Sequence, residues 1–224
     1  MQDFYNKNRQ LIIGVLVGIV SVYLVSSLVI EKRLHEMKVS LDDKILEQEI
    51  YLKELFTVTG RGGVNENTMS VIRDCVPEKR KQFDSLLSAL DSGLPIRDLR
   101  VLNNLFGECG YVFANQRAHM VGQIQQGVFL LTELETQKKL LQDSTSEDVS
   151  FSKWQELEGE EIKLKDLFFS LVDVQGRIIE ALLAGESTNS SSITTLREEA
   201  GKIQSDMSET TKITSVLRSE LISS

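Results

Sequence analysis

The chain has 224 residues, of which 41% are hydrophobic and 6% aromatic, and it carries a net charge of −8. This acidic balance repels phosphate backbones and therefore excludes nucleic-acid binding by charge. The sequence contains only two prolines and is dominated by Glu, Lys, Leu, Ser and Gln, a composition typical of long helices, so we expect an all-α protein.

The most apolar stretch of the chain is a run of twenty uncharged residues at positions 11–30. About 20 residues at a rise of about 1.5 Å per residue cross a hydrocarbon core of roughly 30 Å. A cleaved secretory signal is the alternative, but its apolar region usually has about 7–15 residues and ends in small side chains. We therefore expect a short N-terminal tail over 1–10 and a single-pass transmembrane helix of the signal-anchor type over 11–30.

The basic residues on the two sides of this run bear on the orientation of the anchor. Lys7 and Arg9 precede it, and Lys32, Arg33 and Lys38 follow it, so the two flanks are nearly equal under the positive-inside rule. A short basic N-terminus before the span is the usual layout of an exported signal-anchor protein. We expect the remaining chain to lie on the non-cytoplasmic side of the membrane, with a cytoplasmic-facing domain as the alternative.

Apolar residues at spacings of three and four continue after the apolar run and predict a helical stalk over 31–58. Gly60, Gly62 and Gly63 interrupt this pattern. Glycine loses more backbone entropy in a helix than other residues, so we expect a hinge over 59–76. The segment TGRGG is no phosphate-binding loop, because no strand precedes it and no GK[ST] follows it.

An elongated antiparallel helical bundle is predicted over 77–224. Pro77 suits the first turn of a helix, where its missing N–H is not needed, and Gly93 follows the end of that helix. The apolar periodicity predicts further helices over 95–142 and 152–185. A polar loop at 186–192 precedes a last helix.

The last helix has the most regular apolar pattern in the chain. Spacings of three and four alternate without a gap, which is the heptad seam of a coiled coil. The seam consists of Ile193, Leu196, Ala200, Ile203, Met207, Thr210, Thr214, Leu217 and Leu221. It either packs inside its own bundle or pairs with another protein or a second copy of the chain.

Cys75 and Cys109 are the only cysteines, and their positions predict a disulfide. If the helix that begins at Pro77 and the helix after Pro95 form an antiparallel hairpin, facing positions have index sums near 185, and the two cysteines give 184. The same rule places Phe83 opposite Leu102. Disulfides persist in oxidising compartments, which favours export. Two free thiols in a cytosolic-facing domain are the alternative.

No residue pattern of an enzyme is found. His35 and His119 are the only histidines, and no metal-ligand spacing or nucleophile motif occurs. Glu158, Glu160 and Glu161 lack a histidine at the spacing of a di-metal site, so we expect a solvated face there. The sequence therefore predicts no catalytic residue, no metal site and no cofactor.

These observations predict a membrane-anchored structural or interaction protein: a tether, a spacer or a subunit of a membrane complex. Its partner would be another protein or a second copy. In general layout the chain also resembles the extracytoplasmic four-helix sensor domains of bacterial receptors. That resemblance implies a ligand-sensing bundle, which would signal through a partner because the sequence holds only one apolar run of spanning length.

Overall fold

The computed structural model describes the backbone of residues 2–60, 75–142 and 149–223, and the side chains of 20–56, 75–141 and 151–223. All regular structure in these ranges is helical, which confirms the all-α prediction and the helical bundle. The α-helices are α1 (Gln2–Gly60), α2 (Pro77–Ala89), α3 (Ile96–Leu105), α4 (Tyr111–Gln142), α5 (Val149–Leu183) and α6 (Ser191–Ser223). A 3-10 turn, Leu90–Ser92, follows α2, and a π-helical turn, Phe106–Gly110, joins α3 to α4.

Backbone hydrogen bonds terminate α5 before the loop to α6, and a glycine at the end of the helix allows them to form. Gly185 has a φ of 95°, a conformation that L side chains rarely adopt. Its N–H donates to the carbonyl of Leu182 at 3.1 Å, and the N–H of Glu186 donates to the carbonyl of Ala181 at 3.0 Å. These two bonds form a Schellman cap. The hydroxyl of Ser190 then accepts the N–H of Ile193 and caps the start of α6.

The chain divides into two compact units. The smaller one comprises residues 1–47 and 133–145. Within it, Leu41 and Ile45 are buried on α1, and Asp42 forms an ion pair with Lys138 of α4 at 3.0 Å. The middle of the predicted stalk thus contacts a helix from much later in the chain.

The larger unit comprises residues 48–132 and 146–224. Its main hydrophobic core is formed by α2, the 3-10 turn, α3, the π turn, the start of α4, α5 and α6, and each fully buried apolar side chain there stabilises the fold by about 1.5–3 kcal/mol. The completely buried members of this core are Leu102, Cys109, Ala114, Ile179 and Ile193. Further along the same helices, Ile124, Trp154 and Leu157 are also completely buried.

The last turns of α1 belong to this larger unit. Leu52 and Phe56 are buried there, and the side-chain amide of Gln48 donates to the carbonyl of Gly127 at 3.2 Å. A Cβ atom at Gly127 would lie 2.5 Å from a methyl carbon of Leu52, so glycine permits the close contact of α1 with α4. Some apolar residues of the predicted stalk, 31–58, are therefore buried within a unit, whereas others, such as Met37 and Leu46, are exposed.

Two predicted segments concern residues that the structure describes only in part. Within the described residues, no helix combines the length and the apolarity needed to cross a membrane. Positions 11–19 of the predicted span lie outside the ranges whose side chains are described. The predicted hinge, 59–76, likewise lies mostly outside the described residues, which resume at Cys75.

Candidate functional site

The most unusual side chain of the larger unit is Glu161, an acidic residue in the interior of the bundle. It lies on α5 and has an exposed fraction of 0%. Its neighbours at spacings of four and three along the helix, Leu157 and Leu164, are buried apolar residues. A carboxylate at such a core position is very costly unless charged hydrogen-bond donors surround it.

Two arginines from different helices supply those donors. Arg117 of α4 donates from Nη2 to one carboxylate oxygen of Glu161 at 2.7 Å. Arg218 of α6 donates from its Nη2 to the other oxygen. The three side chains, which we call the charged triad, join α4, α5 and α6 in the interior of the larger unit. Charge-assisted bonds of this kind are about twice as strong as neutral ones.

Two aromatic residues pack beside the charged triad. The guanidinium carbon of Arg218 lies 5.0 Å from the ring centroid of Phe56, which is a cation–π contact. The Phe56 ring in turn stacks on Trp154, with a centroid separation of 6.0 Å. The end of α1 is therefore tied to the same place, so four helices meet around Glu161.

The charged triad carries a surplus of one positive charge, because two guanidiniums share one carboxylate. Burial lowers the pKa of Arg117, and the positive charge of Arg218 lowers it further, while Glu161 raises it. A guanidinium stays protonated in proteins, so the surplus charge remains at the site. The side chains of Arg117 and Arg218 keep 24% and 29% of their surface exposed.

The sequence-based prediction for the acidic cluster was wrong for one of its three residues. Glu161 is fully buried and does not belong to a solvated face. Glu160 lies 3.7 Å from Lys163, one turn further along α5. Glu158 is half-buried, and desolvation raises the pKa of its carboxyl group. The three carboxylates thus have three different environments on one helix.

A signal for the charged triad was present in the periodicity. In the apolar stripe of α5, Leu157 and Leu164 are seven positions apart. Glu161 occupies the position between them where spacings of four and three would place another apolar side chain. The stripe of α4 has the same gap between Phe113 and Met120, and Arg117 occupies it. Opposite charges at skipped core positions of two helices indicate a buried ion pair.

The two cysteines are joined as predicted. Cys75, just before α2, is bonded to Cys109 in the π turn, with 5.1 Å between the Cα atoms. Both residues are buried in the main core. The ring of Phe83 packs on that of Phe106, one turn beyond Leu102, the residue that the index sum places opposite it. A constant index sum assumes two regular α-helices, and the wider π turn departs from that geometry.

Lys79, Arg80 and Lys81 form a basic cluster at the start of α2, and two of them contact other segments of the chain. Lys79 forms an ion pair with Glu108 of the π turn at 2.7 Å. The guanidinium carbon of Arg80 lies 5.1 Å from the ring centroid of Phe113. The ion pair ties α2 to the π turn that also carries Cys109, and the cation–π contact ties α2 to the first turn of α4.

The heptad seam of α6 faces the interior of the larger unit. Seven of its nine residues are buried: Ile193, Leu196, Ile203, Thr210, Thr214, Leu217 and Leu221. Ala200 and Met207 are partly buried against the main core. Ion pairs Lys153–Glu220 and Arg177–Glu199 show that α5 and α6 run antiparallel. The seam thus closes the bundle, and its contact with another chain stays a prediction.

Thr210 is expected to be a weak point of this seam. Its hydroxyl is buried and makes no hydrogen bond to the described residues. Thr210→Val keeps the shape of the side chain and removes the unpaired hydroxyl, so we expect the free energy of unfolding to rise by about 1 kcal/mol. Thermal or denaturant melting measures this change.

Thr214→Val is the matched control for that variant. The Thr214 hydroxyl is equally buried but donates to the carbonyl of Thr211 at 3.0 Å. Removing a paired hydroxyl should leave stability unchanged or lower it slightly. Equal gains from both variants would show that the hydrogen bond does not distinguish the two sites.

The described part of the apolar run, residues 20–30, is exposed on every side of α1. Its large apolar side chains have exposed fractions between 48% and 74%. They are Val20, Val22, Tyr23, Leu24, Val25, Leu28, Val29 and Ile30. Successive residues of an α-helix point about 100° apart, so these eight cover its whole circumference.

Comparison with known proteins gives no match: no family model fits the chain, and no curated protein and no solved structure is significantly similar to it. The function is therefore inferred from the chain's own residues.

Proposed function

We propose that the chain is a membrane-anchored structural or protein-interaction subunit, held at the bilayer by a single span over 11–30. The observation that carries this proposal is the exposed apolar surface around α1 at residues 20–30. A helix that is apolar on all sides needs an apolar environment to cover it. The twenty uncharged residues in the sequence match the thickness of a bilayer core.

The bundle is proposed to lie on the non-cytoplasmic side of that membrane. The disulfide between Cys75 and Cys109 supports this orientation, because disulfides are rare where glutathione and thioredoxin keep thiols reduced. Lys7 and Arg9, which precede the apolar run, fit the basic cytoplasmic flank of an exported signal-anchor. A bundle whose helices are joined by a covalent bond and a charged triad is suited to act as a tether or spacer, alone or with a partner protein.

A ligand-sensing bundle is the second candidate. The surplus positive charge inside the larger unit favours it, because a purely structural core would gain nothing from an uncompensated arginine. This candidate shares the anchor and the orientation with the first one.

Alkaline extraction of membranes tests the anchor. We expect the full chain to stay in the membrane pellet, and a Val22→Arg/Val25→Arg variant to be released, because each arginine at the centre of a span costs about 2.5–3.5 kcal/mol. Ser205→Lys, at an exposed position of α6, is the control and should stay in the pellet. Release of the unaltered chain would overturn the proposal.

A membrane-impermeant thiol reagent tests the orientation. The two native cysteines are bonded to each other, so a cysteine introduced at an exposed position is the only free thiol. Ser192→Cys, at the exposed start of α6, should be labelled in intact cells, and Asn6→Cys should be labelled only after lysis. The reverse pattern would place the bundle in the cytoplasm.

Crosslinking in intact membranes tests the interaction role. A discrete product, either a dimer of the chain or a complex of fixed composition, is the expected result. A chain that remains monomeric under conditions that crosslink a known membrane complex would contradict it.

A further inference from the structure

We propose that Arg117 and Arg218 form a binding site for a small carboxylate anion, through donors that Glu161 leaves free. The inference does not depend on the membrane anchor, because all the residues involved lie in the larger unit. Its first support is the charge balance: Glu161 is fully buried and compensates only one of two guanidiniums. A monovalent anion would bring the site to neutrality.

The hydrogen-bond inventory gives the second support. Each arginine bonds Glu161 through Nη2, and these are the hydrogen bonds that the two guanidiniums make to the described residues. The Nε–H groups of both arginines are buried and make no hydrogen bond within the described part of the chain. Unpaired donors on two charged groups at one place indicate a missing acceptor.

The geometry favours a carboxylate over a spherical anion. A guanidinium presents a planar fork of N–H donors that matches the two oxygens of a carboxylate. The ring of Phe56 covers the Arg218 guanidinium 5.0 Å away, and such a contact leaves the in-plane N–H edge available for a ligand. The Nε–H groups have no surface open to solvent, whereas each side chain as a whole is partly exposed, so a small solute reaches the two guanidiniums from their Nη ends.

Competing ligands are disfavoured by the same residues. The surplus positive charge repels metal cations and amines. A large polyanion would meet a chain with a net charge of −8, which opposes its approach. A compact monocarboxylate combines the right charge with the smallest electrostatic penalty.

The experiment uses the full chain in detergent and acetate as the probe. Sodium acetate replaces sodium chloride at constant ionic strength, and the melting temperature is followed. Ligands that bind only the folded state raise the melting temperature in a saturable way. We expect a saturable rise for the unaltered chain and a loss of affinity of roughly tenfold or more in Arg117→Gln, since a charge-assisted bond is lost.

Two further variants, Arg117→Lys and Arg177→Gln, are compared with Arg117→Gln. Arg117→Gln leaves Glu161 paired with Arg218, so a folded protein is expected. Arg117→Lys keeps the charge but removes the fork, and its acetate response should be weakened relative to the unaltered chain. Arg177→Gln removes an exposed arginine paired with Glu199 at 3.6 Å and should leave the acetate response intact.

Isothermal titration with acetate provides the direct readout. Heat of binding that disappears in Arg117→Gln and persists in Arg177→Gln would support the site. An acetate response that is the same in all variants, or no response in the unaltered chain, would overturn it. A response to chloride equal to that for acetate would reject the carboxylate geometry.

Discussion

Replacing Glu161 by glutamine should lower the free energy of unfolding by about 3 kcal/mol. The variant leaves Arg117 and Arg218 without their shared carboxylate, and the loss of one partner from a buried ion pair typically costs about 3–5 kcal/mol. We take the lower end because both arginines keep part of their surface in water. In a chain of this size the melting temperature should fall by roughly 6–12 °C.

Glu160→Gln is the matched control, one position earlier on α5. Its side chain keeps 24% of its surface exposed and its carboxylate lies 3.7 Å from the exposed Lys163, and a partly solvated pair of this kind contributes only about 0–1 kcal/mol. Denaturant unfolding should therefore show almost no change. A loss of stability from Glu160→Gln as large as that from Glu161→Gln would mean that the burial of Glu161 has no energetic consequence.

The triple variant Arg117→Leu/Glu161→Leu/Arg218→Met should recover the stability that Glu161→Gln loses. Replacing a whole buried charge cluster by apolar side chains is often neutral or stabilising, because no unpaired charge remains. Recovery in the triple variant together with loss in the single variant would identify uncompensated charge as the cause. A triple variant that unfolds would assign the cost to packing around Phe56 instead.

Reduction of the disulfide should lower stability by at least as much as Glu161→Gln. Cys75 and Cys109 are 34 positions apart, and the closure of such a loop restricts the unfolded chain by about 3–4 kcal/mol. We expect reductant to lower the free energy of unfolding by this amount, with a fall in melting temperature of roughly 6–16 °C. Calorimetry or circular dichroism with and without reductant measures the difference.

The double variant Cys75→Ala/Cys109→Ala provides the control for that measurement. It should melt at the temperature of the reduced protein or somewhat below, and reductant should leave its melting curve unchanged. A shift in the double variant would show that reductant acts elsewhere. Equal melting of the oxidised and reduced unaltered chain would contradict the predicted stabilisation by the bond.

Local sequence patterns determined the helices and most of their ends. Pro77 begins α2 and Gly185 terminates α5, because these residues restrict or permit backbone angles regardless of their surroundings. The start of α5 differed, since Val149 begins the helix three positions before the predicted start at Ser152. The cysteine pair was also predictable, because one short turn connects its two segments and leaves few alternative registers.

The tertiary structure decided what the helices cover and which charges enter the interior. Leu52 and Phe56 were expected in a stalk, but they pack in the larger unit because Gly127, far away in sequence, lets α4 approach. Glu161 was expected in water, yet it is buried because α4 and α6 each bring an arginine to it. The periodicity of a single helix shows only which of its faces is apolar. The cost of burying a charge depends on partners from other helices, and only the packed bundle brings those partners together.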